Sequence, residues 1–155
     1  MEKEKVKFLL LTHGNWGEYL IAGIRMILGK INNTHVLSLL PENTFEEYYR
    51  KVEDVIGVMD KKGIIFTDIF GGTTTNIAIK LGYQYNVKVC SGVNVPMLLE
   101  AFSEKETDFE KVMEEGKNGI KDAILEFKES IKKKGDHEYK EIVHPKGNKF
   151  NLGEK

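Results

Sequence analysis

Short apolar runs and helix-period stripes alternate along the chain from residue 6 to about residue 131. The first run, Val6 to Thr12, is nearly continuous and stops at His13-Gly14, the pattern of a strand buried on both faces. Directly behind it Leu20, Ile21, Ile24, Ile27 and Leu28 recur at helical spacing, which predicts a helix from Trp16 to Lys30 with Gly29 as its stop. His35 to Leu40 reads as a second strand closed by Pro41. Thr44-Phe45-Glu46-Glu47 then has the capping-box form, in which a hydroxyl and a carboxylate satisfy free amides, and a helix is expected from about Phe45 to Met59. Gly63 to Thr67 is a third buried-type strand, ending at Asp68 and the turn-forming Gly71-Gly72, with helix returning from about Thr74 to Tyr85. Val87 to Ser91 is a fourth strand, and Asn94 and Pro96 supply an N-cap and a first-turn proline for a helix through Phe102.

Past that point Thr107 and Glu110 make a second capping box, and Phe109, Val112, Met113, Gly116, Ile120, Ile124, Phe127 and Ile131 keep a helical stripe. Gly116 and Gly119 weaken the stripe, so one long helix and a helix followed by a short strand both fit. From Lys128 onward eight lysines face five acidic residues, a net +3 that leaves −4 for residues 1–127. Residues 132–155 therefore form a Lys-rich, core-poor tail, either an edge strand around Tyr139 to Val143 or a solvated, partly disordered terminus.

Composition narrows the class without changing that order. At 155 residues there is room for one domain, and 41% hydrophobic residues supply a core that needs no metal or disulfide staple. A net charge of −1 gives no global field for nucleic acid. Cys90 is the sole cysteine, which suits a reducing cytoplasm. No apolar run approaches the roughly 20 residues of a spanning helix, and the start of the chain has no cleavable-leader pattern. The alternation predicts an α/β fold: a single-domain, doubly wound, mainly parallel sheet with helices on both faces, for which the flavodoxin-like order 2-1-3-4 is adopted as an expectation.

In such sheets ligands bind beyond the carboxyl ends of the strands, and two loops there carry chemistry. His13 ends the first strand just ahead of a helix N-terminus; a nucleophile and a turn filler both fit that position. Asp68 ends the third strand, and if the two strands are neighbours its carboxylate can fix one imidazole nitrogen as a donor and leave the other as a nucleophile. The alternative is a simple turn cap. Gly71, Gly72 and Thr73 follow, two glycines whose amides can converge and a hydroxyl at the next helix start, an anion cradle without the Lys of a P-loop or the spacing of a dinucleotide fingerprint. No cofactor and no metal set is implied. His35, His137 and His144 form no ligand set, Trp16 and Phe70 suit a site wall or a face toward a partner protein as well as they suit core packing, and Met97, Leu98 and Phe102 read as core.

The segments LLLTHGNWGEYLIAGIRMILG, IIFTDIFGGTTTNIAIKL and CSGVNVPMLLEAF resemble, in this order and spacing, the IIA domain of the mannose class of the bacterial phosphoenolpyruvate-dependent sugar phosphotransferase system, over about residues 5 to 131. The resemblance implies a cytoplasmic phosphotransferase with a phosphohistidine intermediate on His13, Asp68 as its hydrogen-bonding partner and Thr73 as a hydroxyl that helps hold the phosphoryl group. The implied donor is the histidine phosphocarrier protein and the implied acceptor a IIB component, with membrane IIC and IID components acting indirectly. It also implies a homodimer that exchanges an antiparallel fifth strand from the C-terminal region, near Gly119 to Leu125 or near Tyr139 to Val143. On this expectation residues 1–131 are the phosphoryl-carrier domain. Two other functions are kept beside it, the phosphoryl-donor subunit of a dihydroxyacetone kinase and a noncatalytic regulatory module on the same fold. Which sugar is moved is not written in this chain, because sugar selection belongs to the membrane components.

Overall fold

The computed structural model describes residues 5–103 and 106–134, which fall into two compact units, one through Gly119 and one beginning at Ile120. In the first unit β1 (Val6–His13), β2 (Thr34–Leu39), β3 (Met59–Thr67) and β4 (Lys88–Ser91) form an all-parallel sheet of order β2-β1-β3-β4. That is the expected doubly wound α/β architecture. Helices α1 (Trp16–Leu28), α2 (Phe45–Ile56), α3 (Thr73–Tyr85), α4 (Val95–Ser103) and α5 (Phe109–Asn118) make the crossovers and cover both faces. The second unit holds α6 (Ala123–Lys134).

Strand alternation sorts the core into two layers. Leu9, Leu11 and Ile65 pack with Tyr48, Val52 and Ile56 of α2 and Ile77, Ala78 and Leu81 of α3. Their neighbours Phe8, Leu10, Ile64 and Phe66 point the other way, against Ile21 and Ile24 of α1, Met97, Leu98 and Ala101 of α4 and Val112 of α5. Met97 and Leu98 are thus core, as their spacing suggested, and Phe102 packs against the same layer. Tyr48 is fully buried and donates its hydroxyl to the Leu37 carbonyl at 2.8 Å, tying α2 to β2. Burial, with a smaller push from the Asp68 charge, raises its phenol and keeps it a neutral donor.

Several boundaries differ from expectation. α2 ends at Ile56 rather than Met59, because β3 begins at Met59, four residues before its apolar run. Met59 pairs with Val6, and an irregularity between Val6 and Phe8 absorbs the charged Asp60-Lys61-Lys62 step. The box at Thr44 forms, with Thr44 Oγ1 accepting from Glu47 N at 3.2 Å and Thr44 N donating to Glu47 Oε2 at 3.0 Å. The box at Thr107 does not. Asp108 caps α5, its Oδ1 accepting from both Glu110 N and Lys111 N, and a carboxylate at a helix N-terminus also has the favourable charge. The stripe after Phe109 is neither one long helix nor a helix and a strand: α5 ends at Asn118, and Asp122 caps a separate α6 by accepting from Ile124 N and Leu125 N. Gly119 to Leu125 accordingly carries no strand, and Tyr139 to Val143 lies outside the described residues.

Packing of α3 on the sheet needs the absence of a side chain at Gly82, where a Cβ would stand 2.6 Å from Val89 Cγ2 and 2.9 Å from the Val87 carbonyl. Gly23, on the exposed face of α1, has nothing within 4 Å of that position. Gly82→Ala should therefore lose about 1 to 3 kcal/mol through overpacking, while Gly23→Ala should gain about 0.5 to 1 kcal/mol through lowered backbone entropy of the unfolded chain. Urea midpoints of the two variants, moving in opposite directions, are the check.

Candidate active site

Parallel pairing sets Leu11 of β1 beside Thr67 of β3, so the chain ends leaving those two strands, His13 and Asp68, emerge side by side. His13 Nδ1 lies 2.8 Å from Asp68 Oδ2, and the His13 backbone N–H donates to the same oxygen at 2.7 Å. The other oxygen, Oδ1, accepts from the Ile69 amide at 2.9 Å and the Thr74 hydroxyl at 2.7 Å. The two side chains differ in access: that of His13 is 45% exposed, that of Asp68 10%.

Burial alone would raise the Asp68 carboxyl, but it is outweighed by donation from the His13 amide, the Thr74 hydroxyl, the His13 ring and the Ile69 amide, and the group is held below the usual carboxylate value. An ionised carboxylate can only accept, so the Nδ1 facing it carries the proton. The Nε2 lone pair of neutral His13 is then directed away from Asp68 and available to an electrophile. The same bond orients the ring and favours positive charge developing on it.

The glycine pair sits against that ring. Gly71 has φ +86°, a backbone state that side chains rarely adopt, and a Cβ on Gly72 would meet His13 Cε1 at 2.8 Å. Gly72 is also the N-cap of α3 and receives no side-chain cap, so the first-turn amides beside Thr73 retain donor capacity near the ring. His13, Gly14, Leu39, Leu40, Pro41, Asn43, Phe45 and Thr73 line an open cleft of about 520 Å³. His13, Asp68, Gly71, Gly72 and Thr73 are thus brought to one sheet edge. Trp16 is 41% and Phe70 79% exposed, which sets aside core packing for both. His35 lies exposed in β2, and His137 and His144 are outside the described residues.

Two features escaped the sequence. The cleft wall of Leu39, Leu40, Pro41 and Phe45 runs from the end of β2 through its connection to the first residue of α2, and these apolar residues gave no chemical signal. The three consecutive threonines do three different things, because successive helical residues point about 100° apart. Thr73 faces the cleft, Thr74 turns to Asp68, and Thr75 donates to the Ile69 carbonyl at 2.6 Å. Thr75 has one proton to give, so Thr67, 2.7 Å away, donates to it, and this buried hydroxyl pair holds the 69–72 loop from below.

Residues 7–117 match the EIIA-man family model, described as the PTS system fructose IIA component. The chain is 28% identical over 125 residues to the PTS system mannose-specific EIIAB component of Escherichia coli K12, an alignment covering 75% of this chain and 39% of that one. It therefore spans about 39% of the length of the curated relatives it matches. Among solved structures, the mannose/sorbose-specific IIA subunit of Enterococcus faecalis superposes with a TM-score of 0.68 at 22% identity, covering 76% of this chain and 93% of that one. The IIA protein associated with the fucose utilization operon of Streptococcus pneumoniae gives 0.69 at 23% identity, covering 82% and 99%. These two likenesses concern the fold.

The carboxyl of Asp68 has a thermodynamic consequence. Its folded value lies below its unfolded one, so its contribution to stability is complete above the unfolded value of about 4 and is lost as pH falls from there through the folded value. Urea midpoints measured from pH 6 downward should fall below about pH 4 in the wild type, with that part of the acid slope missing in Asp68→Asn.

Proposed function

The chain belongs to the mannose-class IIA family of the sugar phosphotransferase system, and from the geometry at His13 we propose that it is a phosphoryl carrier, accepting phosphate from the histidine phosphocarrier protein and passing it to a IIB component. The observation that carries this reading is the 2.8 Å contact of His13 Nδ1 with a mostly buried carboxylate while the ring remains open to solvent. A nucleophile that must meet another protein's side chain needs that access, and a ring that must become cationic needs that partner.

In the forward step the Nε2 lone pair of His13 attacks the phosphorus of the carrier's phosphohistidine. The new N–P bond forms as the carrier's N–P bond breaks, and the electron pair of the broken bond returns to the carrier's imidazole. His13 loses no proton: the proton stays on Nδ1 and is donated to ionised Asp68, whose charge stabilises the cationic phosphoimidazole. In the next step an acceptor side chain of the IIB component attacks the same phosphorus, and His13 recovers its lone pair. Thr73 and the amides after Gly71 are the donors for phosphoryl oxygens at the start of α3.

The names of relatives support a sugar-uptake setting: the Escherichia coli protein is called mannose-specific, the Enterococcus one mannose/sorbose-specific. A cytoplasmic location, a homodimer and indirect coupling to membrane IIC and IID components belong to the same reading. Among the described residues no helix is long and apolar enough to cross a membrane.

The test is incubation with phosphoenolpyruvate, the general transfer proteins and candidate IIB components, followed by intact-mass analysis. One phosphoryl group should be gained, acid-labile and base-stable, and lost to the cognate IIB. A chain that stays unmodified with competent donors supports a regulatory module instead. His13→Ala should abolish the gain while leaving the thermal midpoint near wild type, since a half-exposed ring contributes little packing; undiminished labelling would remove His13 from the chemistry. Thr73→Val should slow transfer roughly tenfold to a hundredfold, at about 1.4 kcal/mol per decade, because water replaces part of a lost donor in an open cleft. Thr73→Ser should be nearly silent, and rapid-quench kinetics distinguish the two.

A further inference from the structure

The carboxylate of Asp68 serves His13 only while one oxygen lies in line with Nδ1–H. A two-fold flip exchanges equivalent oxygens and changes nothing, but the terminal torsion of an Asp side chain is broad, so the tilt of the carboxylate plane is not fixed by the rotamer itself. The backbone amides of His13 and Ile69 come from the two strand ends that the site is built on. The remaining donor comes from elsewhere. Thr74 lies in the first turn of α3, is fully buried, and gives its hydroxyl to Oδ1 at 2.7 Å.

We propose that Thr74 is a positioning residue for phosphoryl transfer: from the helix it locks Oδ1, which holds Oδ2 on His13 Nδ1 and keeps the neutral ring in the tautomer whose Nε2 is the nucleophile. The inference rests on the reading of His13 as the phosphoryl acceptor. Thr74 is not among the residues that line the cleft and its hydroxyl is given to Asp68, so its effect passes through Asp68. Several features suit it to the task. Its branched side chain has few rotamers, its backbone is fixed by α3, and the neighbouring Thr75 clamps the Ile69 carbonyl at 2.6 Å, so loop and carboxylate are held by adjacent residues of one helical turn. Thr73, one position earlier, lines the cleft, which separates the positioning of the ring from contact with the transferred group.

The experiment compares the full chain with Thr74→Val, which keeps the shape and removes the donor, and with Thr74→Ser, which keeps the donor. Thr74→Ala serves as a second donor-free variant should the valine disturb folding. The ring ¹⁵N shifts of unphosphorylated, neutral His13 should report a single Nδ1–H tautomer in the wild type and in Thr74→Ser, and a mixture in Thr74→Val and Thr74→Ala. The ¹³C titration of the Asp68 carboxyl should move to higher pH in the donor-free variants alone. Transfer from the phosphocarrier should slow about tenfold in them, equivalent to about 1.4 kcal/mol, with serine restoring most of the rate.

Folded donor-free variants that keep the wild-type tautomer and rate overturn the proposal, as does a loss of rate that serine does not restore. If the wild type takes up no phosphoryl group while the tautomer still depends on Thr74, the carrier reading fails and the positioning of His13 by Thr74 stands. If the wild type is phosphorylated and the tautomer ignores Thr74, the carrier reading stands and the positioning fails.

Discussion

The site depends on one parallel pairing, β1 beside β3 with Leu11 opposite Thr67. Parallel strands lie about 4.8 Å apart and leave the sheet on the same edge, so the first residues past the buried stretch on each strand are neighbours without any loop having to be folded for the purpose. His13 and Asp68 occupy those positions. A slip of one residue in either strand would turn each inward-facing set, Leu9 and Leu11 or Phe8 and Leu10, to the opposite layer of core. The packing of two helical layers thus holds the register, and the register holds the imidazole against the carboxylate. Stability and chemistry are coupled through a geometric fact about strands.

The carboxylate in turn organises what surrounds it. Four donors from β1, the 69–72 loop and α3 converge on Asp68, and in a poorly hydrated place such charge-assisted bonds are stronger than neutral ones. The loop between β3 and α3 can then be short and close over the carboxylate, provided its residues leave room. Gly72 supplies the room, since a side chain there would collide with the imidazole edge at 2.8 Å. The requirement for a small residue is imposed by the histidine, which explains why a turn that could cap a helix in many ways does so here without a capping side chain.

The sheet and the placing of His13 and Asp68 at strand ends were legible because each rests on a signal the sequence states locally: apolar runs of strand length, helical stripes between them, and two chemically distinctive residues at run ends; the order that makes the two neighbours came from the flavodoxin-like topology, which the sheet follows. What was not legible depends on phase or on competition between neighbours. Three identical threonines carry no mark of which one faces the carboxylate; all three lie in α3, which starts at Thr73, so successive side chains point about 100° apart and only the phase set by packing of Ile77, Ala78 and Leu81 decides among them. Thr107 and Asp108 are both good caps, and the choice falls to Asp108 because its carboxylate reaches two amides while the Thr107 hydroxyl turns back to the Ala101 carbonyl. The N-terminal part of β3 is Met59-Asp60-Lys61-Lys62, a stretch whose charges conceal a strand that continues the sheet to Val6.

The gradient of exposure across the pair fits passage of a group between proteins better than turnover of a small substrate. An enzyme that binds a small molecule gains from enclosing it, because exclusion of water strengthens the electrostatic terms at the reacting atoms. Here the enclosing is confined to the lower half of the site. Asp68 is shielded at 10% exposure and follows Thr67, whose hydroxyl forms a buried pair with Thr75, so the carboxylate that orients the ring is anchored from the protein side. The ring itself, at 45% exposure, opens onto a cleft whose wall includes Leu39, Leu40, Pro41 and Phe45, with Trp16 and Phe70 exposed. Apolar surface of that kind is costly to leave in water and is recovered when another protein covers it. The missing upper half of the enclosure would then be contributed by the partner at the moment of transfer, and withdrawn with it.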